Sequence, residues 1–279
     1  MEKILLAIDS QNLDTNTLSF ACYLALLTNS RLTGIFLENL EVEEEVVINQ
    51  SEEIPFIESI SIQEKPEDEE KVKVREGNMN LFKSITEKKG VQASIHLDKG
   101  IPAAEIISET RFADILIIDA ATSFSSFYDG PITRFVKDLL HHAECPVVIS
   151  PENFEVIDSI VFCYNGSKSS VFAIKQFTYL FPELRYNRAK IIFLSRENEE
   201  SEAEVLVLAE WLRYYYTDVE FLAMEKDATE AFFNYLLKKK NDFVVMGAYG
   251  RGLLASFFEN NAGETEVRTT SLPIFVAHY

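Results

Sequence analysis

Phe243-Val244-Val245-Met246-Gly247-Ala248-Tyr249-Gly250-Arg251-Gly252 is an apolar run of strand character that stops at a glycine, with two more glycines and an arginine close behind. A strand that ends in a glycine-rich loop and leads toward a helix is a common way to build an anion site. Glycine lets the backbone approach the anion, the helix N-terminus aims amide N–H groups at it, and the arginine adds a cation. The same pattern also makes an inert βα turn, so the stretch by itself leaves both readings open.

Outward from this loop, the chain reads as a repeat. In the second half, strands are expected at Ser159 to Tyr164, Lys190 to Ser195, Val219 to Met224, Asp242 to Met246 and Leu272 to Ala277, with helices between them. The intervening apolar stripes, such as Phe172, Ala173, Phe177, Leu180 and Phe181, have helical spacing. The first half runs the same way. Lys3 to Ile8 is an unbroken apolar run, as in a strand buried on both faces, and it stops at Asp9-Ser10. Further strands are expected at Leu32 to Leu37, Ala93 to Leu97, Ala113 to Asp119 and Cys145 to Ile149. Asp119 to Pro146 and Gly247 to Pro273 are nearly equal intervals, roughly 27 and 26 positions, which supports duplication. The predicted class is α/β: two tandem doubly wound five-stranded parallel-sheet domains, 1–151 and 152–279, meeting near Ser150-Pro151-Glu152-Asn153.

One segment departs from the repeat. Glu38 to Glu76 carries Glu43-Glu44-Glu45, Glu52-Glu53 and Glu67-Asp68-Glu69-Glu70, interrupted by Pro55 and Pro66. It is expected to be a solvated acidic insertion, centred on 41–70, that merges into a helix ending near Lys89. A partner-binding role for it stays open. The whole chain of 279 residues has a formal charge of -19. Such a chain repels nucleic-acid phosphates and anionic lipid, so neither nucleic acid nor membrane is an expected partner. No apolar run is long enough to span a bilayer, and Cys22, Cys145 and Cys163 sit in apolar settings without CxxC spacing. They read as reduced core residues of a cytoplasmic protein.

These residues together resemble two universal stress protein domains in tandem, over almost the whole chain apart from the acidic insertion. The first strand of each half ends in an acid or amide and a small polar residue, Asp9-Ser10 and Asn165-Gly166-Ser167. The Gly247 to Gly252 loop and the closing Cys145-Pro146 and Leu272-Pro273 strands complete the likeness. The resemblance implies the Rossmann-like, adenine-nucleotide hydrolase-like fold of that family. Its members pair through their last strands, so the two halves can pair within one chain, with a homodimer left open. It also implies a stress-response or regulatory module that binds ATP, with Mg²⁺ accompanying it, at the C-terminal strand edge.

The family's phosphate pattern is Gly-x-x-Gly, about nine residues, then Gly and Ser or Thr. Gly247 and Gly250 match it, whereas the last two positions fall on Asn260 and Asn261. On this reading Gly247, Gly250 and Gly252 cradle phosphate, Arg251 supplies charge, Asn260 and Asn261 close the far side, and Asn165 with Gly166 meets the base or ribose. Asn261 also reads as an ordinary N-cap, with Glu264 three residues on. In the first half Asp119 and Thr122 take the glycine positions. A carboxylate there repels phosphate, so that triphosphate site reads as lost. Two other readings stay open: a ligand-free interaction scaffold, and an adenine-nucleotide hydrolase. The absence of a Ser-Gly-Gly-x-Asp-Ser loop argues against the hydrolase, and no catalytic residue or metal ligand is assigned. His141-His142 reads as a helix end, Lys238-Lys239-Lys240 as a basic helix terminus, and Tyr214-Tyr215-Tyr216 with Trp211 as core and rim.

Overall fold

The computed structural model describes residues 1–39, 42–49, 56–64, 69–125, 132–193, 200–223, 232, 235–236, 239, 241–247 and 272–277, with backbone alone for 42–49, 56–64, 200–203 and 223. The first half runs β1 (Lys3–Asp9), α1 (Thr15–Leu27), β2 (Arg31–Asn39), β3 (Val42–Asn49), β4 (Phe56–Glu64), α2 (Glu69–Lys89), β5 (Ala93–Gly100), α3 (Pro102–Thr110), β6 (Ile115–Ile118), α4 (Arg134–His142) and β7 (Val147–Ile149). The second runs β8 (Ser159–Tyr164), α5 (Lys168–Leu180), a 3₁₀ turn (Pro182–Tyr186), β9 (Arg188–Phe193), α6 (Glu200–Arg213), β10 (Val219–Ala223), β11 (Asp242–Gly247) and β12 (Ile274–Ala277).

Ten of these strands form one sheet, in the order β10-β9-β8-β11-β12-β7-β6-β1-β2-β5. Within this sheet each half repeats the same winding, with all its own pairings parallel. The join is the exception: β12 runs antiparallel to β7, with Phe275 opposite Val148. The carboxyl ends of the strands, where open α/β sheets bind ligands, therefore face opposite ways in the two halves.

Unbroken apolar strands form here because helices cover both faces. On one face Ile4, Leu6 and Ile8 pack with Leu18, Phe20 and Phe82 from α1 and α2, and Ile160 and Phe162 pack with Phe177 and Leu212 from α5 and α6. On the other, Leu5, Ala7, Leu116 and Val244 meet Ile106, Val136 and Leu139 from α3 and α4. The first core crosses the boundary between halves, since Phe20 on α1 meets Phe154 at 5.0 Å and Phe243 on β11 at 6.4 Å between ring centroids. Cys22, Cys145 and Cys163 are free and buried in these cores. Burial pushes the thiols of Cys22 up to about 11 and Cys145 up to about 12, and Cys163 upward as well.

The acidic insertion, expected to hold no strand, contains two and leads into α2, which ends at Lys89 as expected. Residues 42–49 and 56–64 pair antiparallel as a two-stranded sheet of their own, with an irregularity between Val47 and Ile48. Strand propensity in Val46-Val47-Ile48 and the alternation through Ile60 and Ile62 outweigh the charge. The strand expected over Ala113 to Asp119 is shorter, Ile115–Ile118; just before it the Asp114 carboxylate accepts from the backbone N–H of Glu2 (2.6 Å) and Lys3 (2.9 Å), while its own N–H donates to the Lys3 carbonyl at 3.0 Å. The helix expected over Ala231 to Lys239 lies mostly outside the described residues.

Candidate functional site

In the second half β8 delivers Tyr164, Asn165 and Gly166 to the ligand edge. Tyr164 is buried and its hydroxyl donates to Glu204 Oε2 at 3.0 Å; burial and that carboxylate push the phenol up to about 12. Asn165 is exposed, and its Oδ1 accepts from the Ser167 hydroxyl (2.7 Å) and backbone N–H (3.2 Å). Gly166 takes φ +76°, a left-handed turn that suits glycine. Ser167 then caps α5, accepting from Ser170 N at 3.1 Å. Asn165 is thus held by the turn that starts a helix, and among the described residues its Nδ2 donors have no acceptor.

Gly247 ends β11 against the first turn of α5. A Cβ there would lie 2.5 Å from the carbonyl carbon of Ser169 and 2.6 Å from its oxygen, both backbone atoms. The structure thus brings Gly247, Gly166 and Asn165 to the start of one helix. Gly250, Arg251, Gly252, Asn260 and Asn261 lie outside the described residues.

A cleft of about 620 Å³ opens beside Gly166, between α5 and α6. Tyr164 and Trp211 give it aromatic walls, while Lys168, Lys175 and Glu204 give it charge. Its size lies in the usual range for a small-molecule site. The sequence reading missed these residues. They are far apart in the chain and only the packing of α6 on α5 brings them together. The one local signal is Lys168 at the first position of α5, directly after the Asn165-Gly166-Ser167 turn.

The matching edge of the first half is covered among the described residues. Asp9 Oδ1 accepts from Gln11 N at 2.9 Å, as a carboxylate capping its own turn. The N-terminal part of α2 lies over that turn: Asn78 donates to the Ser10 carbonyl at 2.9 Å, and the Gln11 side chain donates to the Lys71 carbonyl at 3.2 Å. Arg75, itself buried, pairs with Glu38 at 2.7 Å. Among the described residues a hole of about 100 Å³ is lined there by Asp9, Asn12, Asp14, Asp119 and Thr122. Burial raises Asp119, with Asp14 and Glu152 adding to it against the lowering bond from Ala121 N. Burial also raises Asp9, against Gln11 N and together with Glu38. A small hole that already disfavours negative charge on its own carboxyls is a poor place for a triphosphate.

Among the described residues no cluster of His, Cys, Asp or Glu is arranged to hold a metal ion. His141 and His142 have ring centroids 6.0 Å apart at the end of α4, and His142 Nδ1 lies 3.0 Å from the Asp138 carbonyl. Lys238 and Lys240 lie outside the described residues, and Lys239 sits over the Tyr235 ring at 4.9 Å. No described helix is long and apolar enough to cross a membrane.

Fold and edge geometry define a tandem doubly wound α/β protein whose two ligand edges differ among the described residues. No family model matches the chain. Universal stress protein Slr1230 of Synechocystis is 21% identical over 291 residues, spanning 98% of this chain and 99% of the relative. Among solved structures, a universal stress protein from Archaeoglobus fulgidus has TM-score 0.65 at 16% identity, covering 99% of this chain and 98% of the other. A putative universal stress protein from Pseudomonas aeruginosa has TM-score 0.60 at 12% identity, covering 100% and 93%. The cytoplasmic domain of a prokaryotic cation chloride cotransporter shares the fold at TM-score 0.51 and 8% identity, covering 99% and 94%, so the fold alone does not decide a function. The chain has the universal stress protein fold in tandem, and the similarity over nearly its whole length supports that family.

Proposed function

We propose that this protein is a cytoplasmic, non-enzymatic regulatory module of the universal stress type that binds ATP or another adenine nucleotide in its second half. The observation that carries this reading is the asymmetry of the two ligand edges. The first is filled by α2 and lined with aspartates. The second has a turn-held Asn165 whose Nδ2 donors have no acceptor among the described residues, a left-handed Gly166, a capped helix start and an adjacent cleft carrying Lys168 and Lys175. On this reading Asn165 hydrogen-bonds the base or ribose, the α5 start and Lys168 face phosphate oxygens, and Gly250, Arg251 and Gly252 with Asn260 and Asn261 complete the cradle. Mg²⁺ would arrive with the nucleotide, held mainly by phosphate oxygens and water.

The test is calorimetric titration with MgATP, ATP and AMP, preceded by mass spectrometry of small molecules released on denaturation. Binding that Gly250→Val abolishes and Asp119→Asn leaves intact is the expected result. No heat up to millimolar ligand would sink the proposal and favour a ligand-free interaction scaffold. That second reading draws on Gly247, whose glycine is fully accounted for by its contact with Ser169. Phosphate release above a protein-free control would instead revive a hydrolase.

A further inference from the structure

At the N-terminal ends of β9 and β10, away from Asn165 and Gly166, the chain concentrates tyrosine and arginine. The end of α5, the 3₁₀ turn and the turn after α6 surround a groove of about 690 Å³. Tyr186 and Tyr214 are 75% and 77% exposed, and Tyr179 is half exposed. Of these, Tyr179 is held in a cluster with Tyr215 and Trp211. Trp211 lies 4.5 Å from Tyr215 and 6.1 Å from Tyr179, and Tyr179 lies 5.9 Å from Tyr215, centroid to centroid. Beneath them Tyr216 is buried and donates to the Thr178 hydroxyl at 3.3 Å. Tyrosine, tryptophan and arginine are the residues that dominate binding energy at protein interfaces, and rigid rings cost little entropy to engage.

The charges say what the groove fits. Arg185 stacks on the Tyr186 ring at 5.5 Å, and Arg213 lies across the groove. Neither has an ion pair among the described residues, whereas the exposed Arg111 and Arg188 each bind a carboxylate. In a chain of net charge -19, two arginines with no carboxylate partner among the described residues share one aromatic groove. They suit a ligand that brings its own carboxylates. A long polyanion such as nucleic acid would meet repulsion from the rest of the chain, while a short acidic segment meets mainly the groove.

We propose that this groove binds an extended acidic peptide segment of a partner protein, laid over the tyrosines with its carboxylates on Arg185 and Arg213. It lies apart from the nucleotide edge and does not depend on a nucleotide binding there. The test is fluorescence anisotropy with a labelled peptide rich in Glu and Pro, at low and raised salt. Saturable binding is expected, weakened by salt and at least about tenfold weaker for the R185E/R213E double variant. Tyr214→Ala should weaken it too, while Arg111→Glu, in the other half, should not; circular dichroism checks that each variant is folded. The proposal is overturned by no binding at millimolar peptide, or by equal binding of a peptide with Gln in place of Glu. Unchanged binding by R185E/R213E overturns it as well. So does tighter binding of single-stranded DNA, or a self-association abolished by R185E/R213E, which would assign the groove to a second copy.

Discussion

An added methyl at Gly247 would run into the backbone of Ser169, so β11 and the start of α5 meet there only over a bare Cα. Gly247→Ala is therefore expected to cost about 1–3 kcal/mol, as overpacking does where the neighbour is main chain, read from the urea midpoint. An unchanged midpoint would contradict that contact. Asp119 makes a pH-dependent counterpart in the first half. Its carboxyl is held above the ordinary 3.8 by burial first, then by Asp14 and Glu152. A carboxyl raised in the folded state binds its proton more tightly there than in the unfolded chain. Its contribution to stability is thus most favourable below the ordinary value and is lost as pH climbs through the raised one. Asp119→Asn keeps an acceptor for Ala121 N and removes the charge. It should raise the urea midpoint at neutral pH and leave it nearly unchanged in acid below the ordinary value. The same gain at both pH values would mean that charge is not the cause.

At the level of elements, a buried ion pair ties β8, β9 and β11 together below the ligand edge. Lys190 Nζ lies 3.1 Å from Asp242 Oδ2 and donates to Ser159 Oγ at 2.7 Å, with side-chain exposures of only 12% for the lysine and 7% for the aspartate. Lys190→Met leaves Asp242 buried without its cation and should cost roughly 3–5 kcal/mol, whereas K190M/D242L should recover much of that. A double-mutant cycle by urea unfolding measures the coupling; a single-variant cost below about 1 kcal/mol would contradict it. The β3–β4 hairpin lies at the other extreme, as a sheet of its own. Replacing residues 42–64 with a short Gly-Asn linker should leave the melting temperature within a few degrees, since loop length alone costs little; loss of cooperative unfolding would show that the hairpin supports the body. This hairpin also marks where local reading runs out. Its glutamates obscure the strand signal in Val46-Val47-Ile48 and Ile60-Ser61-Ile62. By contrast Lys3–Asp9 and Asp242–Gly247 are legible, because a strand covered on both faces has to be apolar throughout. At the candidate site Asn165 and Gly247 are legible for the same reason, as the residues at which such strands stop. Lys168, Lys175, Glu204 and Trp211 are not, because only tertiary packing of α5 on α6 makes them neighbours. Tyr214-Tyr215-Tyr216 follows the expected division into core and rim: Tyr216 is buried, and its two neighbours face solvent.

For the molecule as a whole, the β7–β12 pairing and the aromatic contacts from Phe20 to Phe154 and Phe243 make two half-sheets into one structure. A single cooperative unfolding transition follows, with calorimetric and van't Hoff enthalpies equal; two resolved transitions would mean that the halves are independent. The same antiparallel join turns the two ligand edges to opposite ends of the sheet, so ligand at one cannot be mistaken for ligand at the other. Photolabelling with an azido-adenine analogue of ATP, followed by peptide mapping, exploits that separation. The account predicts labelling of peptides containing Asn165 and Gly166, or the Gly247 to Gly252 loop, competed away by ATP. Labelling at Asp9 or Asp119, or labelling that ATP does not compete, would contradict it.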